Sequence, residues 1–310
     1  MIIVNWNGRT WLETCLPALA AQTHTNFETI VVDNGSEDNS ILWIKKDWPH
    51  VHVLALEENW GFAKANNIGI QAARGEYIAT LNNDTVPEPE WLEALVTAVS
   101  SKNVKNVGMA ASLITLWQYP SLLDSAGIEV DKAGIAWNRG YGQIVSTALK
   151  PRLVFGPSAS AALYSKQMLD EIGLFDESYF AYYEDVDLAW RAQRYGWRCQ
   201  YTPAAKVKHW HSATGEQTPA LKLTLLGKNK LLTILKNYPW PQLLWYLPLI
   251  FLFDTTAVLV QTLKQKNRAA LNGRYQAVKA AKKIIQTRQP SKSTPPLTPI
   301  SLRRYLFRQR

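Results

Sequence analysis

Short apolar runs alternate with amphipathic segments through the first 115 residues of the chain. The runs that we predict to be strands cover residues 1–6, 27–32, 51–56, 77–81 and 107–114. Between them, apolar residues recur at helical spacing in residues 10–22, 40–46, 61–73 and 91–100. Strands that alternate with helices through short turns are typical of a mostly parallel sheet with helices on both faces. The pattern therefore predicts a Rossmann-like α/β fold.

Polar side chains cluster where three of these strands end. They are Asn5 and Asn7 in the first strand, Asp33 and Asn34 in the second, and Asn82, Asn83 and Asp84 in the fourth. Ligands bind at the carboxyl edge of the strands in open α/β sheets. Because no GxGxxG or GxxxxGK[ST] pattern occurs, dinucleotide-binding and P-loop proteins lose their main support.

Asp84 is the strongest candidate for a metal ligand in this cluster. Its carboxylate suits Mg²⁺ or Mn²⁺, and the amides of Asn82 and Asn83 can hydrogen-bond a sugar or a phosphate. The alternative is an Asn- and Asp-rich turn after a strand. These residues alone leave both interpretations open.

Acidic residues also gather before a predicted helix at residues 186–195. Glu184 and Asp185 precede that helix, where the helix dipole favours their charged forms. A carboxylate at the mouth of a pocket is suited to general-base chemistry on an acceptor hydroxyl. The alternative is an acidic first turn that only caps the helix.

Two histidines follow on a predicted short strand. His209 and His211 are in an i, i+2 relation and therefore share a face of that strand. Either could complete a metal site with Asp84 or contact a diphosphate, although a histidine near a strand end is more often a polar surface residue. Between Asp84 and these residues, positions 115–155 are irregular, and we expect either a variable pocket wall or a surface hairpin there.

The charge of the chain is distributed unequally. Residues 221–310 hold 17 of the 34 Lys and Arg residues but one of the 25 acids, so they carry +16 while residues 1–220 carry −7. This shift predicts a domain boundary near residue 220 and an anionic partner, either a membrane or a nucleic acid. Cys15 and Cys199 form no disulfide framework, which favours a reducing compartment. No signal sequence precedes the first strand, so we expect the catalytic region to stay in the cytoplasm.

The basic part of the chain divides into three predicted segments. Residues 221–236 form a basic amphipathic helix, and residues 243–263 are apolar with Asp254 as their one charge. Because a central charge costs about 2.5–3.5 kcal/mol on insertion, we favour a surface-bound or partly inserted helical hairpin over a full span. A buried helix of a soluble subdomain is the alternative. Residues 286–310, basic and rich in proline, are predicted to be disordered or loosely membrane-bound.

Six stretches resemble, in their order, the inverting glycosyltransferases of family 2 with the GT-A fold, and most of all the bacterial rhamnosyltransferase-like members. They are IIVNWNG (2–8), IVVDNGSED (30–38), NWGFAKANNIG (59–69), GEYIATLNNDT (75–85), GLFDE (173–177) and FAYYEDVDLAWR (180–191), followed by His209. Together they cover roughly residues 1–215.

The resemblance implies a role for each matching residue. Asp33 would contact the nucleotide base, with Asn5 and the stretch from Gly61 to Asn67 lining the same pocket. Asn82-Asn83-Asp84 occupies the DxD position of the family, although Asn82 replaces the first acid of that motif.

The same resemblance assigns the chemistry. Asp84 would bind the divalent metal, Mg²⁺ or Mn²⁺, that bridges the donor diphosphate, and His209 would be a late metal or diphosphate ligand. Asp185 matches the catalytic base, with Glu184 as its supporting neighbour.

The resulting hypothesis is an inverting glycosyltransferase with a catalytic domain in residues 1–220, a helical membrane-association region in 221–285 and a tail in 286–310. The donor would be dTDP-rhamnose or a UDP- or GDP-sugar, and the acceptor a lipid-linked or polysaccharide glycan at the cytoplasmic face of an anionic membrane. A catalytically inactive assembly partner is the main alternative. Nucleic-acid binding is disfavoured, because the basic residues are interleaved with long apolar runs.

Overall fold

The computed structural model describes residues 1–101, 104–210, 218–265 and 268–300. Within these ranges the strands are β1 (Ile2–Asn5), β2 (Ile30–Asp33), β3 (His52–Ala55), β4 (Tyr77–Asn82), β5 (Thr85–Pro87), β6 (Val107–Leu116), β7 (Leu123–Ser125), β8 (Ile128–Val130), β9 (Ala136–Asn138), β10 (Arg152–Val154), β11 (Ala161–Ser165) and β12 (Arg198–His209). The helices are α1 (Arg9–Ala20), α2 (Ser40–Asp47), α3 (Phe62–Ala72), α4 (Trp91–Ser100), α5 (Lys166–Ile172), α6 (Glu184–Tyr195), α7 (Pro219–Asn237), α8 (Trp240–Gln265) and α9 (Ala269–Gln286).

Ten of the strands form one mixed sheet. Eight of them lie side by side in the order β10-β12-β6-β11-β4-β1-β2-β3, and the other two, β5 and β7, pair with β12 and β6. The four strands β3, β2, β1 and β4 are parallel, and Asn5 lies opposite Asp33 in the pairing of β1 with β2. Beyond β4 the pairing becomes antiparallel through β11, and β5 pairs antiparallel with β12. The β-α alternation predicted from the sequence is therefore confirmed, and the second half of the sheet adds antiparallel strands.

Helices cover both faces of the sheet. Alternate residues of β1 point to opposite faces: Ile2 packs in the cluster that contains α3, α5 and α6, and Ile3 packs in the cluster that contains α1, α2 and α4. This double burial explains why the strand is apolar at consecutive positions. Close contact between α3 and β1 requires Gly69, because a Cβ there would lie 2.7 Å from the Ile2 side chain.

The irregular residues 115–155 contribute a small hairpin, β8–β9, beside the main sheet. Strand β7 of the same segment joins the main sheet by pairing with β6. Both predicted alternatives hold in part, since the segment contains a hairpin and also contributes Asp124 and Trp137 to the wall of the cavity described below.

The helix predicted at residues 221–236 is present as α7, and two of its four lysines pair with acids of the protein. Lys236 donates to Asp176 at 2.7 Å and to Asp187 at 2.9 Å, and Lys230 pairs with Asp254. Burial alone would raise the pKa of Asp187, but the adjacent Lys236 and Arg191 lower it to about 2. These two cations therefore neutralise largely buried acids and do not form part of a basic surface.

Helix α8 is long and apolar enough to cross a membrane, over Trp240–Val260, and 11% of that stretch is buried in the protein. Exposed side chains along it include Trp245 and Phe251. Asp254 bonds to Lys230 of α7 and to Arg274 of α9. The alternative of a buried helix in a soluble subdomain is therefore disfavoured. The carboxylate of Asp254, the central charge of α8, is paired with cations of the two neighbouring helices.

The tail is ordered as far as residue 300. The backbone N–H groups of Lys292 and Ser293 donate to the Arg194 carbonyl at 2.8 and 2.9 Å, and Thr298 donates to the Val130 carbonyl at 2.8 Å. The tail, which was predicted to be disordered or loosely membrane-bound, thus satisfies backbone groups of α6 and of the β8–β9 hairpin. Residues 301–310 lie outside the described ranges.

Candidate active site

A cavity of about 530 Å³ opens at the carboxyl edge of β1 and β4. This volume is typical of small-molecule binding sites. Its walls come from the β4–β5 turn, the β8–β9 hairpin, the segment before α6 and the first turns of α7. Seven of the ten site residues predicted from the sequence line it, namely Gly61, Asn82, Asn83, Asp84, Glu184, Asp185 and His209.

Asp84 and His209 meet because of strand pairing. Asp84 lies in the turn between β4 and β5, and Thr85 of β5 is opposite His209 of β12. This register places Asp84 Oδ1 3.3 Å from His209 Nε2, with both side chains 8% exposed. The other histidine of the predicted pair, His211, lies outside the described residues.

Asp124 of β7 completes this arrangement. Its Oδ2 atom lies 2.6 Å from His209 Nδ1, so the carboxylate orients the imidazole and leaves Nε2 directed towards Asp84. Burial alone would lower the pKa of His209, but the carboxylates of Asp84 and Asp124 raise it to about 10. The site therefore favours positive charge. Asp124 had no signal in the sequence, because it lies in the irregular residues 115–155.

The donor set fits Mg²⁺ or Mn²⁺. Besides the Asp84 carboxylate and the His209 imidazole, Asn82 Oδ1 is buried and has no hydrogen-bond partner among the described residues. No group of three His, Cys, Asp or Glu side chains in the described ranges is placed to hold a metal by itself. Mg²⁺ commonly takes one or two protein ligands and completes its shell with water and substrate phosphates. A site with two ligating side chains, Asp84 and His209, in a cavity that can hold substrate phosphates agrees with this mode of metal binding.

Glu184 and Asp185 begin α6 and line the same cavity. Asp185 accepts hydrogen bonds from the backbone N–H groups of Val186 at 2.8 Å and Ala159 at 3.2 Å. Burial nevertheless raises the pKa of Asp185, and burial together with the Asp185 charge raises that of Glu184 well above its usual range. Burial therefore opposes the effect of the helix dipole, which favours the charged forms of both acids.

Asn5 and Asp33 lie beneath the cavity. Asn5 Nδ2 donates to Asp33 Oδ1 at 2.9 Å, and Asn5 Oδ1 accepts from Asn83 Nδ2 at 2.8 Å. The second Asp33 oxygen accepts the Ser36 N–H at 3.0 Å. Both Asn5 and Asp33 are fully buried, so they join the ends of β1, β2 and β4 without lining the cavity.

The cavity wall beside β2 is instead formed by Asn34, which belongs to the predicted polar cluster, and by Asn59, for which the sequence predicted no role. Asn34 Nδ2 donates to Asn59 Oδ1 at 2.8 Å, and that oxygen also accepts the Gly61 N–H at 2.9 Å. Gly61 has a φ of +84°, and a Cβ there would lie 2.6 Å from Phe180. The glycine is therefore required for the close approach of the segment that precedes α6.

Asn67, predicted to line the nucleotide pocket, is placed differently. Its amide nitrogen donates to the Phe175 carbonyl at 2.8 Å and to Glu177 at 3.1 Å, and its oxygen accepts the Phe175 N–H at 3.1 Å. The side chain is buried and is not among those that line the cavity. Asn67 therefore fastens the GLFDE stretch to α3, a structural role that its sequence motif did not reveal.

Comparisons with known proteins show the family and the fold of the chain. The Glycosyl transferase family 2 model matches residues 1–173. N-acetylglucosaminyl-diphospho-decaprenol L-rhamnosyltransferase of Mycobacterium tuberculosis is 28% identical over 256 residues, covering 74% of this chain and 81% of that protein. An uncharacterized protein of Sinorhizobium fredii is 29% identical over 218 residues, and the chain spans 23% of its length.

Two solved structures share the fold. The mannosyltransferase of Pyrobaculum calidifontis in complex with GDP-Man and Mn²⁺ superposes with a TM-score of 0.54 at 15% identity, covering 92% of this chain and 82% of that one. GalNAc-T7 with UDP, GalNAc and Mn²⁺ gives 0.58 at 16% identity, covering 75% and 46%. The fold is thus the GT-A fold, and the chain belongs to Glycosyl transferase family 2.

Proposed function

We propose that the protein transfers a sugar, with rhamnose favoured, from a nucleotide-diphosphate donor to an acceptor hydroxyl with inversion at the anomeric carbon. One observation carries the proposal: the Asp84–His209 pair and the Asp185 carboxylate line the same cavity at the carboxyl edge of the sheet. A leaving group bound at one wall and a base at the other fit a single displacement on a sugar between them.

Asp185 is the base in this mechanism. One of its oxygens accepts the proton of the acceptor hydroxyl while the hydroxyl oxygen bonds to the anomeric carbon and the bond to the diphosphate oxygen breaks. The raised pKa of Asp185 favours proton acceptance. Glu184, the buried acid next to Asp185, has a supporting role in this mechanism. A divalent metal held by Asp84 and His209 supplies, when bound, positive charge to the departing diphosphate.

The nucleotide is placed against the wall formed by Asn34, Asn59 and Gly61, above the buried Asp33. We favour dTDP-rhamnose as donor because of the rhamnosyltransferase relative. UDP- and GDP-sugars are the other donors to test, since structural neighbours were solved with UDP and with GDP-Man.

The acceptor is a lipid-linked or polysaccharide glycan at the cytoplasmic face of a membrane. Support comes from the apolar side chains Leu221, Leu225 and Leu226 of α7, which line the cavity opposite the metal pair. The exposed apolar face of α8 follows directly along the chain and provides a surface that fits a membrane.

A donor screen tests the activity. We expect release of nucleotide diphosphate from one nucleotide sugar in a panel of dTDP-, UDP- and GDP-sugars, dependent on Mg²⁺ or Mn²⁺ and abolished by a chelator. The readout is nucleotide diphosphate release with and without glycan acceptors. Donor and metal binding without any release would instead favour the catalytically inactive assembly partner.

Membrane association is tested in the full chain, because α7 packs against α6 and a truncation at residue 220 would expose that contact. The protein should float with anionic liposomes. Trp245 and Phe251 are 79% and 71% exposed, and burial of a large apolar side chain contributes about 1.5–3 kcal/mol. Replacing both by serine should therefore weaken partitioning by at least about tenfold.

Leu42→Ser is the matched control for flotation, because Leu42 is 69% exposed on α2, outside α8. It should float as the wild type does. Equal flotation of the wild type, the control and the double variant would contradict a membrane role for α8.

A further inference from the structure

The backbone just before the proposed base is held in an unusual conformation. Phe180, Tyr182 and Tyr183 have φ angles of 65°, 69° and 70°. Residues other than glycine rarely adopt positive φ, and such conformations persist where the surrounding structure enforces them. Glu184 and Asp185 follow at once, so the direction in which α6 begins depends on these three residues.

Asn229 of α7 binds this segment. Its Nδ2 atom donates to the carbonyl oxygens of Tyr179 at 2.9 Å, Ala181 at 2.8 Å and Tyr182 at 2.7 Å. The side chain is fully buried. Since all three partners are acceptors, the amide nitrogen and not the oxygen must face them. The amide nitrogen carries two hydrogens, so at least one of them is shared between two carbonyls, and one side chain thus binds three carbonyls of four consecutive residues.

Other residues of α7 contact the same stretch. Thr233 Oγ1 lies 2.9 Å from the Tyr179 hydroxyl, and Lys228 donates to the Ser178 carbonyl at 2.7 Å. Lys236 reaches Asp187 one turn into α6. The helix therefore covers the segment from Ser178 to Asp187, although the sequence assigned it to the membrane-association region.

The opposite side of the segment contacts the nucleotide wall. The Phe180 carbonyl accepts the Ala63 N–H at 3.1 Å, and Gly61 is in close contact with Phe180. Phe180, Tyr182 and Asp185 all line the cavity. The segment is thus held between α3 and α7, and Asn229 makes three of the hydrogen bonds that α7 contributes.

We propose that Asn229 is a positioning residue: by binding the carbonyls of Tyr179, Ala181 and Tyr182 it selects the backbone conformation that directs Asp185 into the cavity. The kinetic part of this proposal rests on the proposed function of Asp185. The conformational part does not, because it concerns the segment itself.

Hydrogen exchange and kinetics of Asn229→Leu test the proposal in the full chain. Leucine has the same branched arrangement of heavy atoms, with larger terminal groups, and removes the donor. Asn229→Ser is a second variant, with a side chain too short to reach three carbonyls, in case the leucine variant does not fold. Thr224→Val is the matched control, since Thr224 is buried on the same helix and bonds to Ala220 and Ala269 instead of the segment.

We expect amides of residues 180–187 to exchange faster in the Asn229 variants than in the wild type or in Thr224→Val. We also expect kcat to fall about 10- to 100-fold, as for a misplaced catalytic group, with the donor KM unchanged. Exchange and kcat equal to those of Thr224→Val would overturn the proposal. If the wild type transfers no sugar from any donor, the proposed function fails. The hydrogen-exchange comparison then decides the conformational part of the proposal by itself.

Discussion

Asp185→Asn is expected to lower the rate of sugar transfer by about 10²–10⁴-fold, the usual contribution of a positioned base. An amide has the volume of the carboxylate but cannot take the proton of the acceptor hydroxyl. The Asp185 carboxylate accepts the N–H groups of Ala159 and Val186, one on each oxygen. An asparagine can accept only one of them, through its oxygen, so the fold should lose about 1–3 kcal/mol for the N–H group left without an acceptor, while the reaction loses its base.

A measurement of donor binding distinguishes loss of the base from general damage to the fold. Asn34, Asn59 and the Asp84–His209 pair lie at other parts of the cavity, so a titration of nucleotide sugar with Mn²⁺ should give the same Kd for the variant and the wild type. Asp170→Asn, an exposed acid on α5 away from the cavity, should behave as the wild type in both measurements. Turnover of Asp185→Asn near the wild-type rate would exclude Asp185 as the base.

The sequence could predict the parallel half of the sheet because local signals determine it. Residues such as Ile2 and Ile3 are buried on opposite faces, and this produces the apolar runs by which strands are recognised. Polar residues at the ends of those runs then had to share one edge. Asn5, Asp33 and Asn83 do meet there, joined by hydrogen bonds.

The sequence could not show which of these residues face the cavity. Asp33 and Asn67 are directed into the protein by Asn5, Ser36 and Phe175, and side-chain direction at a strand end or a helix face depends on such partners. The contact of Asp124 with His209 joins positions 85 residues apart and follows from antiparallel pairing of β7 with β6. No local pattern encodes that pairing.

The charge pattern of the C-terminal part misled for a physical reason. A lysine every few residues among leucines predicts a basic amphipathic helix, but the same spacing serves to pair Lys230 with Asp254 and Lys236 with Asp187. Because a buried ion pair needs both partners in position, α7, α8 and α6 are joined by contacts that composition does not reveal. The helix that carries Asn229 is thereby fixed to α6 and also to the apolar helix that follows.

Asp84→Ala should remove the metal-dependent part of donor binding. The outer partners of a metal ligand typically contribute 10- to 100-fold in affinity, and Asp84 is itself the proposed ligand, so a loss of at least about 100-fold is expected. The measurement is a titration of Mn²⁺ with nucleotide sugar, repeated with a chelator. With the chelator present, wild type and variant should bind the donor equally weakly, since the alanine leaves the Asn34–Asn59 wall intact.

Asp124→Asn is expected to have an intermediate effect on metal affinity, and it therefore tests whether the loss in Asp84→Ala is specific to a metal ligand. The asparagine can still accept from His209 Nδ1 but loses the charge, so metal affinity should fall by about 10- to 100-fold, less than for Asp84→Ala. Thermal unfolding of both variants shows whether a fall in metal affinity comes from the missing ligand or from destabilisation of the fold by loss of the Asp84–His209 contact. Unchanged Mn²⁺-dependent binding by a folded Asp84→Ala protein would refute the metal role, and equal losses in the two variants would place Asp124 among the ligands.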